Sequence, residues 1–255
     1  MIYPSVENWQ ELQDKVCLLL NQVGFEAEVN KKVIVPRGSI DIDVFAVDPN
    51  SIDRIEYIIE CKNWENKIPQ TIIHSFASVM NETGGNIGYI ISKNGFQKGA
   101  FDFVKSTNIR IFTFKQLQAR YLECWLTNYF YPEINNVSCR LKDYTDVINF
   151  GLDKKLKGIS VHKQKQYVSL FSQYKDFGDL LVELSLRRKG AIRVFSQIPN
   201  NVVISIAEMK EILKTKCNIR IKSDYYSDLL NELRIIITDV TQKFDELFKD
   251  TNNLA

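Results

Sequence analysis

Histidine and cysteine are scarce in this sequence, and their scarcity excludes several classes of site. The 255 residues include two histidines and five cysteines, an odd number spread widely along the chain. No Cys-x-x-Cys pair and no Cys/His pairing with zinc-like spacing occurs, which excludes a zinc finger and a disulfide-framed scaffold. Free thiols are typical of a reduced, intracellular protein, so we expect a cytoplasmic location.

Long apolar runs and a strong excess of one charge are also missing. No segment approaches the roughly 18 apolar residues of a membrane span, and the N-terminus lacks the pattern of a signal peptide. We therefore expect no membrane partner. The net charge of +2 at pH 7 gives no global sign of nucleic-acid binding, and no P-loop is present.

A mixed α/β fold is predicted for the first half of the chain. Apolar spacing indicates, in order, one helix, three consecutive strands, and then alternating helices and strands, with the first helix over residues 5–23. Consecutive strands followed by strand–helix units favour a mixed sheet with helices on both faces, an α+β arrangement. We expect a domain over residues 1–130.

The second half, residues 131–255, is predicted to be a mainly helical domain. Residues 131–146 look polar and irregular and are expected to link the two domains. Ser205 and Glu208 form a capping-box pattern at the start of a later helix. Basic residues at 187–193 and 214–222 are either a phosphate-binding surface or solvated helix ends. Sensing a target, binding a protein partner and self-association as a homodimer all remain open as roles.

Two charged side chains end an apolar strand in the segment EYIIECKNW. Alternation along a strand places Glu60 and Lys62 on one side and Cys61 on the other. Asp41 and Asp43 likewise share a side of the preceding strand, so three carboxylates and one ammonium converge if the strands pair. The alternative is a surface ion pair at an exposed strand end.

Clustered carboxylates suit a hard divalent cation. They repel one another unless a cation neutralises them, and oxygen ligands suit Mg²⁺ or Mn²⁺. The backbone carbonyl of Cys61 is a candidate further ligand, because a thiol is a poor one for Mg²⁺. A neighbouring lysine can orient a water molecule or offset developing negative charge. The pattern therefore favours hydrolysis of phosphodiester bonds.

Several linked motifs resemble a known family. They are RGSIDIDVFAVD, IEYIIECKNW, the Pro69–Gln70 helix start, and GGNIGYIISKNGFQKGA. Together they resemble the Mrr-like branch of the PD-(D/E)XK nuclease superfamily, the type IV restriction endonuclease domain, over about residues 5–120. The resemblance implies the α-β-β-β-α-β nuclease core and a Mg²⁺-dependent endonuclease that cuts DNA, acting in antiviral defence. The alternative is a nucleic-acid-binding module that keeps this fold but does not cut.

The resemblance also implies roles for individual residues. Asp43 and Glu60 would be metal ligands and Lys62 the catalytic lysine, with Asp41 as an extra, competing acid. Gln13, or alternatively Glu11, would complete the metal site from the first helix. Gln70 would lie near the phosphate.

Two further groups are expected around this centre. Ser92, Lys93 and Lys98 are candidate contacts to the DNA backbone, and Gly95 and Gly99 are expected to shape a turn. Trp64 is expected to pack and orient Lys62, with stacking on a base as the alternative.

Overall fold

The computed structural model of the chain describes residues 1–36, 38–188 and 203–249. The chain divides into two compact units, Met1–Trp125 and Leu126–Ala255. No helix within the described residues is both long and apolar enough to cross a membrane.

The first unit is built on a mixed five-stranded sheet. Its strands are β1 (Glu26–Val35), β2 (Gly38–Val47), β3 (Glu56–Lys62), β4 (Ile87–Ser92) and β5 (Ile109–Thr113), and they lie in chain order. Strands β1, β2 and β3 pair antiparallel, whereas β3, β4 and β5 pair parallel. Its helices are α1 (Trp9–Val23), α2 (Gln70–Thr83), α3 (Lys98–Val104) and α4 (Phe114–Trp125). The predicted element order and mixed sheet are confirmed.

Helix α1 begins and ends at residues suited to capping. The Asn8 side-chain oxygen accepts a hydrogen bond from the Glu11 N–H at 2.9 Å, so the helix starts at Trp9 and not at residue 5 as predicted. Gly24 ends it with a φ of 107°, a left-handed conformation that glycine adopts without a steric penalty. These caps fix which side chains of α1 face the sheet.

The central strand β3 lies between apolar layers. Ile58 and Ile59 project to opposite sides of the strand, and both are almost completely buried. Burying one such side chain contributes about 1.5–3 kcal/mol. The strand is thus a rigid support for the polar residues at its C-terminal end.

The second unit is helical, as predicted. A π-helical turn at Leu126–Phe130 precedes α5 (Tyr131–Thr145), α6 (Phe150–Lys157), α7 (Val161–Leu186), α8 (Ile206–Cys217) and α9 (Tyr226–Phe248). The predicted capping box is confirmed in part, since the Ser205 hydroxyl accepts a hydrogen bond from the Glu208 N–H at 3.1 Å. Of the basic residues at 187–193, Lys189 and Arg193 lie outside the described residues.

The predicted irregular link at residues 131–146 is wrong, because this segment forms helix α5. Ile134, Ser138 and Leu141 are buried at helical spacing, and the polar residues between them face outward. Pro132 stands in the first turn, where its missing N–H costs no hydrogen bond. The segment has few apolar residues, so its helical pattern is weak in the sequence, but a helix that buries only a narrow stripe needs no more of them.

Helices α5 and α7 approach closely at a glycine. A Cβ atom on Gly178 would lie 2.0 Å from the Thr145 hydroxyl oxygen and 2.6 Å from its Cβ. Any larger side chain at this position would push the two helices apart. Glycine is therefore a packing requirement here, although it lowers intrinsic helix propensity.

A half-buried carboxylate in the second unit is well provided with donors. Glu232 accepts hydrogen bonds from the backbone N–H of Lys222 at 3.0 Å and of Ser223 at 2.8 Å, and from the Ser223 hydroxyl. Burial acts to raise the pKa of Glu232, but these bonds and the charge of Lys210 outweigh it and lower the pKa.

Candidate active site

The sheet opens into a fork between β2 and β3. The two strands pair from Val47 and Glu56 as far as Val44 and Ile59. Beyond that point β2 continues beside β1, while β3 continues beside β4 until Lys62 pairs with Ser92. The next residues along the two diverging strands are Asp43 and Glu60, so their carboxylates lie where the pairing ends.

Asp43 is fixed by the backbone of the opposite strand. One of its carboxylate oxygens accepts a hydrogen bond from the Cys61 N–H at 2.7 Å. On its other side, Asn30 of β1 adopts a φ of 53°, and its neighbours Val29 and Lys31 pair with the two residues that flank Asp43. A left-handed residue distorts a strand locally, so β1 is distorted beside Asp43. The bond to Cys61 occupies one carboxylate oxygen and leaves the other available.

Glu60 and Lys62 form an ion pair on one side of β3. Their side chains are 27% and 23% exposed, respectively. Burial raises the pKa of Glu60 and the negative charge of Asp43 raises it further, while Lys62 offsets only part of this effect. Two carboxylates are thus held close together with one neighbouring ammonium, whereas the strand pattern predicted three carboxylates.

An open cleft of about 420 Å³ lies at the fork. Its lining consists of Glu7, Asn8, Trp9, Gln13, Asp43, Cys61, Lys62, Asn63 and Trp64. Gln13 is only 5% exposed and projects from α1 into this lining. Glu11 instead accepts a hydrogen bond from the Glu7 N–H at 2.8 Å and caps the helix. Of the two first-helix candidates, Gln13 is the one that lines the cleft.

The donor set at the fork fits a hard cation better than a soft one. Asp43, Glu60 and Gln13 offer oxygen atoms, the ligands that Mg²⁺ and Mn²⁺ prefer. Burial, with the charges of Asp43 and Glu60, raises the pKa of the Cys61 thiol well above its ordinary value, so this thiol stays protonated. Within the described residues, no three His, Cys, Asp or Glu side chains cluster to hold a metal. A cation at the fork would therefore need amide, backbone or water oxygens besides the two carboxylates.

Asp41 lies further from this centre than the sequence pattern suggested. It is exposed, and it pairs with Lys32 of β1, on the arm that has left β3. The charge that affects Glu60 is that of Asp43. Of the two acids on β2, Asp43 is the one held beside Glu60.

Gln70 is the first residue of α2 and lies outside the cleft lining. Its amide nitrogen is 3.0 Å from the His74 ring nitrogen Nε2. A Cβ atom on Gly99 would lie 2.5 Å from the Gln70 side-chain oxygen, so this glycine makes room for Gln70 near the start of α3. Lys98, the first residue of α3, is exposed beside it.

The other two predicted DNA contacts have partners within the protein. Ser92 is completely buried; its hydroxyl donates to the Gly95 carbonyl at 3.0 Å and accepts from the Gly95 N–H at 2.7 Å. These bonds assign Ser92 to the turn. The Lys93 ammonium lies 2.5 Å from a Glu65 carboxylate oxygen and is one-third exposed.

Sequence reasoning missed part of the cleft wall. Trp9 and Asn63 were not singled out, and Trp64 was expected to pack, yet it is 44% exposed. The amide nitrogen of Asn63 donates to the Glu7 carbonyl at 3.3 Å and so joins the end of β3 to the segment before α1. Only the position of Trp64, two residues beyond Lys62, could have signalled a place in the site.

Residues 6–121 match the family model Mrr_cat, which describes a restriction endonuclease. This match, over a little less than half of the chain, confirms the resemblance that the motifs predicted and supports nuclease activity.

The solved structures that are similar to the chain include the following two, whereas no curated protein matches it. A protein of unknown function, AF1548, is 18% identical with a TM-score of 0.40, over 66% of this chain and 98% of that one. A repair endonuclease from Pyrococcus abyssi is 16% identical with a TM-score of 0.31, over 45% of this chain and 50% of that one.

Proposed function

We propose that this protein is a Mg²⁺- or Mn²⁺-dependent endonuclease that hydrolyses DNA phosphodiester bonds, of the restriction type that serves antiviral defence. The observation that carries the proposal is the convergence of Asp43, Glu60 and Lys62 at the fork between β2 and β3. A surface ion pair would need only Glu60 and Lys62. The second carboxylate, fixed beside them by the backbone, raises the electrostatic cost of the arrangement, and a cation would remove that cost.

The roles follow from what each group can reach. Asp43, Glu60 and the Cys61 backbone carbonyl would hold the cation, and the Gln13 amide would complete its surroundings from α1. When bound there, a cation would lower the pKa of a coordinated water molecule and offset negative charge on the phosphate. Lys62 would orient that water molecule or offset the charge that develops on the phosphoryl oxygens. Asp41 would act outside the direct ligands.

Surfaces beside the cleft would hold the DNA backbone. Lys98 is exposed at the start of α3, and Gln70 lies against Gly99 in the same helix. Lys93 would exchange Glu65 for a phosphate, since an exposed ion pair contributes little stability. These contacts would position the DNA without reading its sequence.

We further propose a nuclease domain over residues 1–130 and a second domain over residues 131–255. The second domain would sense a target, bind a protein partner or mediate self-association. A cytoplasmic location would suit the five free cysteines.

The test is a cleavage assay with the full chain. Methylated and unmethylated plasmid, and a matched RNA, would be incubated with Mg²⁺, with Mn²⁺ and with EDTA. We expect cleavage of DNA with metal and none with EDTA.

Matched variants make the assay specific to the fork. Glu60→Gln should abolish cleavage, whereas Glu56→Gln, at the opposite end of the same strand, should cut like the wild type. Metal-independent nucleic-acid binding without cleavage would instead identify a non-cutting binding module. Full activity of Glu60→Gln would overturn the proposed site.

A further inference from the structure

The three tryptophans of the chain have very different environments. Trp125 is completely buried, and its indole N–H donates to the Gln22 side chain at 2.6 Å. Trp9 is 52% exposed and Trp64 is 44% exposed, and both line the cleft that contains Asp43 and Lys62. Burying an indole stabilises a folded protein more than burying most other side chains does. Trp125 contributes this stability, whereas Trp9 and Trp64, exposed in one cleft, do not contribute it in full.

Hydrogen bonds fix the two chain segments that carry the exposed indoles. Trp9 is the first residue of α1, whose start is fixed by the Asn8 cap. Trp64 follows the end of β3, and the residue between it and Lys62 is Asn63, which bonds to the Glu7 carbonyl. This bond links the segment before Trp9 to the segment that carries Trp64. Their common position in the cleft wall is therefore a built feature of the first unit.

We propose that Trp9 and Trp64 form a stacking site for an unpaired nucleobase of the DNA strand that is cut. Aromatic rings bind successive bases of single strands by stacking, and they tolerate any base because each has a π-face. Inside a continuous duplex both faces of a base are already stacked, so a paired base cannot enter such a site without leaving the helix. The inference rests on the proposed function for the place of the cut phosphate, which would lie beside Lys62.

A substrate preference follows from this site. The protein binds and cuts DNA with unpaired nucleotides next to the cut phosphate, such as single strands, flaps or mismatched segments, in preference to continuous duplex. Moving an unpaired nucleotide into the site costs less energy than extruding a paired one from duplex, which costs a few kcal/mol.

The experiment compares binding of a fluorescently labelled oligonucleotide with binding of the blunt duplex of the same sequence. Anisotropy would be measured on the full chain in EDTA, which separates binding from metal-dependent cleavage. We expect the single strand to bind more tightly than the duplex. Trp9→Ala and Trp64→Ala should each weaken single-strand binding about 5-fold or more, and duplex binding by less than about 2-fold.

Two sets of variants control for folding and for loss of exposed apolar surface. Trp9→Phe and Trp64→Phe keep an aromatic face and should retain most of the affinity. Ile52→Ala removes a fully exposed apolar side chain from the β2–β3 loop, at the opposite end of these strands from Lys62, and should bind like the wild type.

The outcomes separate this inference from the proposed function. Equal binding of the single strand and the duplex, or alanine variants that bind like the wild type, would overturn the stacking site even if plasmid is cut with Mg²⁺. Tryptophan-dependent single-strand binding by a protein that cuts no nucleic acid would support the stacking site and overturn the nuclease proposal.

Discussion

Glu60 in the first unit and Glu232 in the second are both half-buried, but their surroundings act on them in opposite directions. Burial and the neighbouring Asp43 raise the pKa of Glu60. Burial also acts on Glu232, yet hydrogen bonds from Ser223 and from the backbone lower its pKa. The second unit supplies hydrogen-bond donors to the carboxylate of Glu232, whereas the first unit holds the carboxylate of Glu60 beside a second negative charge.

The difference shows where the fold gives up stability. A carboxylate that is provided with donors stabilises the folded chain, as Glu232 does through local bonds to Lys222 and Ser223. A carboxylate that faces another is destabilised by their repulsion, which Lys62 offsets only in part at Glu60. We therefore expect changes in the first unit to act chiefly on cleavage and changes in the second to act chiefly on stability.

The largest effect is expected at Lys62. Lys62→Ala removes the only ammonium paired with Glu60 among the described residues, and cleavage should fall by about 10²–10³-fold, the usual cost of losing one group that stabilises transition-state charge. Initial rates on plasmid with Mg²⁺ measure this. Lys210→Ala, which breaks an ion pair with Asp224 in the second unit, is the matched control and should leave the rate unchanged. Equal losses of cleavage rate in both variants would contradict the expectation that changes in the first unit act chiefly on cleavage.

The largest effect on the stability of the second unit is expected at Gly178, where two helices pack closely. Gly178→Ala adds a methyl group against Thr145 and should lower the free energy of unfolding by about 1–3 kcal/mol. Ser172→Ala, at an exposed position of the same helix, should be neutral or slightly stabilising because alanine favours helix. Urea denaturation of both variants measures this. Stabilisation by Gly178→Ala would mean that α5 and α7 do not approach as described.

A smaller, pH-dependent effect is expected at Glu232. Its folded-state pKa is lowered, so its contribution to stability is complete above the ordinary value of 4.5 and is lost as the pH falls through the folded-state pKa. Glu232→Gln should therefore be less stable than the wild type at pH 7, by about 1 kcal/mol, and the difference should shrink in acid. Thermal melts across this pH range measure it, and a difference that grows in acid would contradict the assignment.

The smallest effect on stability is expected at Glu60, with the opposite sign. Because the pKa of this carboxyl group is raised in the folded state, its charged form opposes folding near pH 7. Glu60→Gln should raise the melting temperature in EDTA by about 1–3 °C while cleavage is lost. Added Mg²⁺ should stabilise the wild type but not the variant. A variant that melts below the wild type in EDTA would show that the Lys62 pair outweighs the repulsion.

Much of the first unit could be predicted because its strands carry strong local patterns. Apolar alternation predicted the order of helices and strands along the chain, and the Glu60–Cys61–Lys62 triplet predicted the shared side of the two charges. The fork was not predictable, since it depends on where β2 changes partners, and no local pattern records a long-range pairing.

The failures have similar physical causes. Helix α5 was missed because its buried stripe is narrow and interrupted by Ser138. The sequence favours Gln13 and leaves Glu11 as the alternative, and the hydrogen bond that the Glu11 carboxylate accepts from the Glu7 N–H separates them. Asp41 and Asp43 share one side of β2, and the distance from the fork distinguishes them.

The fork between β2 and β3 also bears on how such a protein can evolve. Beyond Val44, the β1–β2 hairpin continues as an arm that does not pair with β3, although its Ile42 stays buried in the core, and the hydrogen bond that the Cys61 N–H donates to Asp43 lies at its base. We expect substitutions towards the hairpin tip to leave that bond and the Glu60–Lys62 pair in place. Natural variation in this arm can therefore alter what the protein touches without disturbing the chemistry at its root.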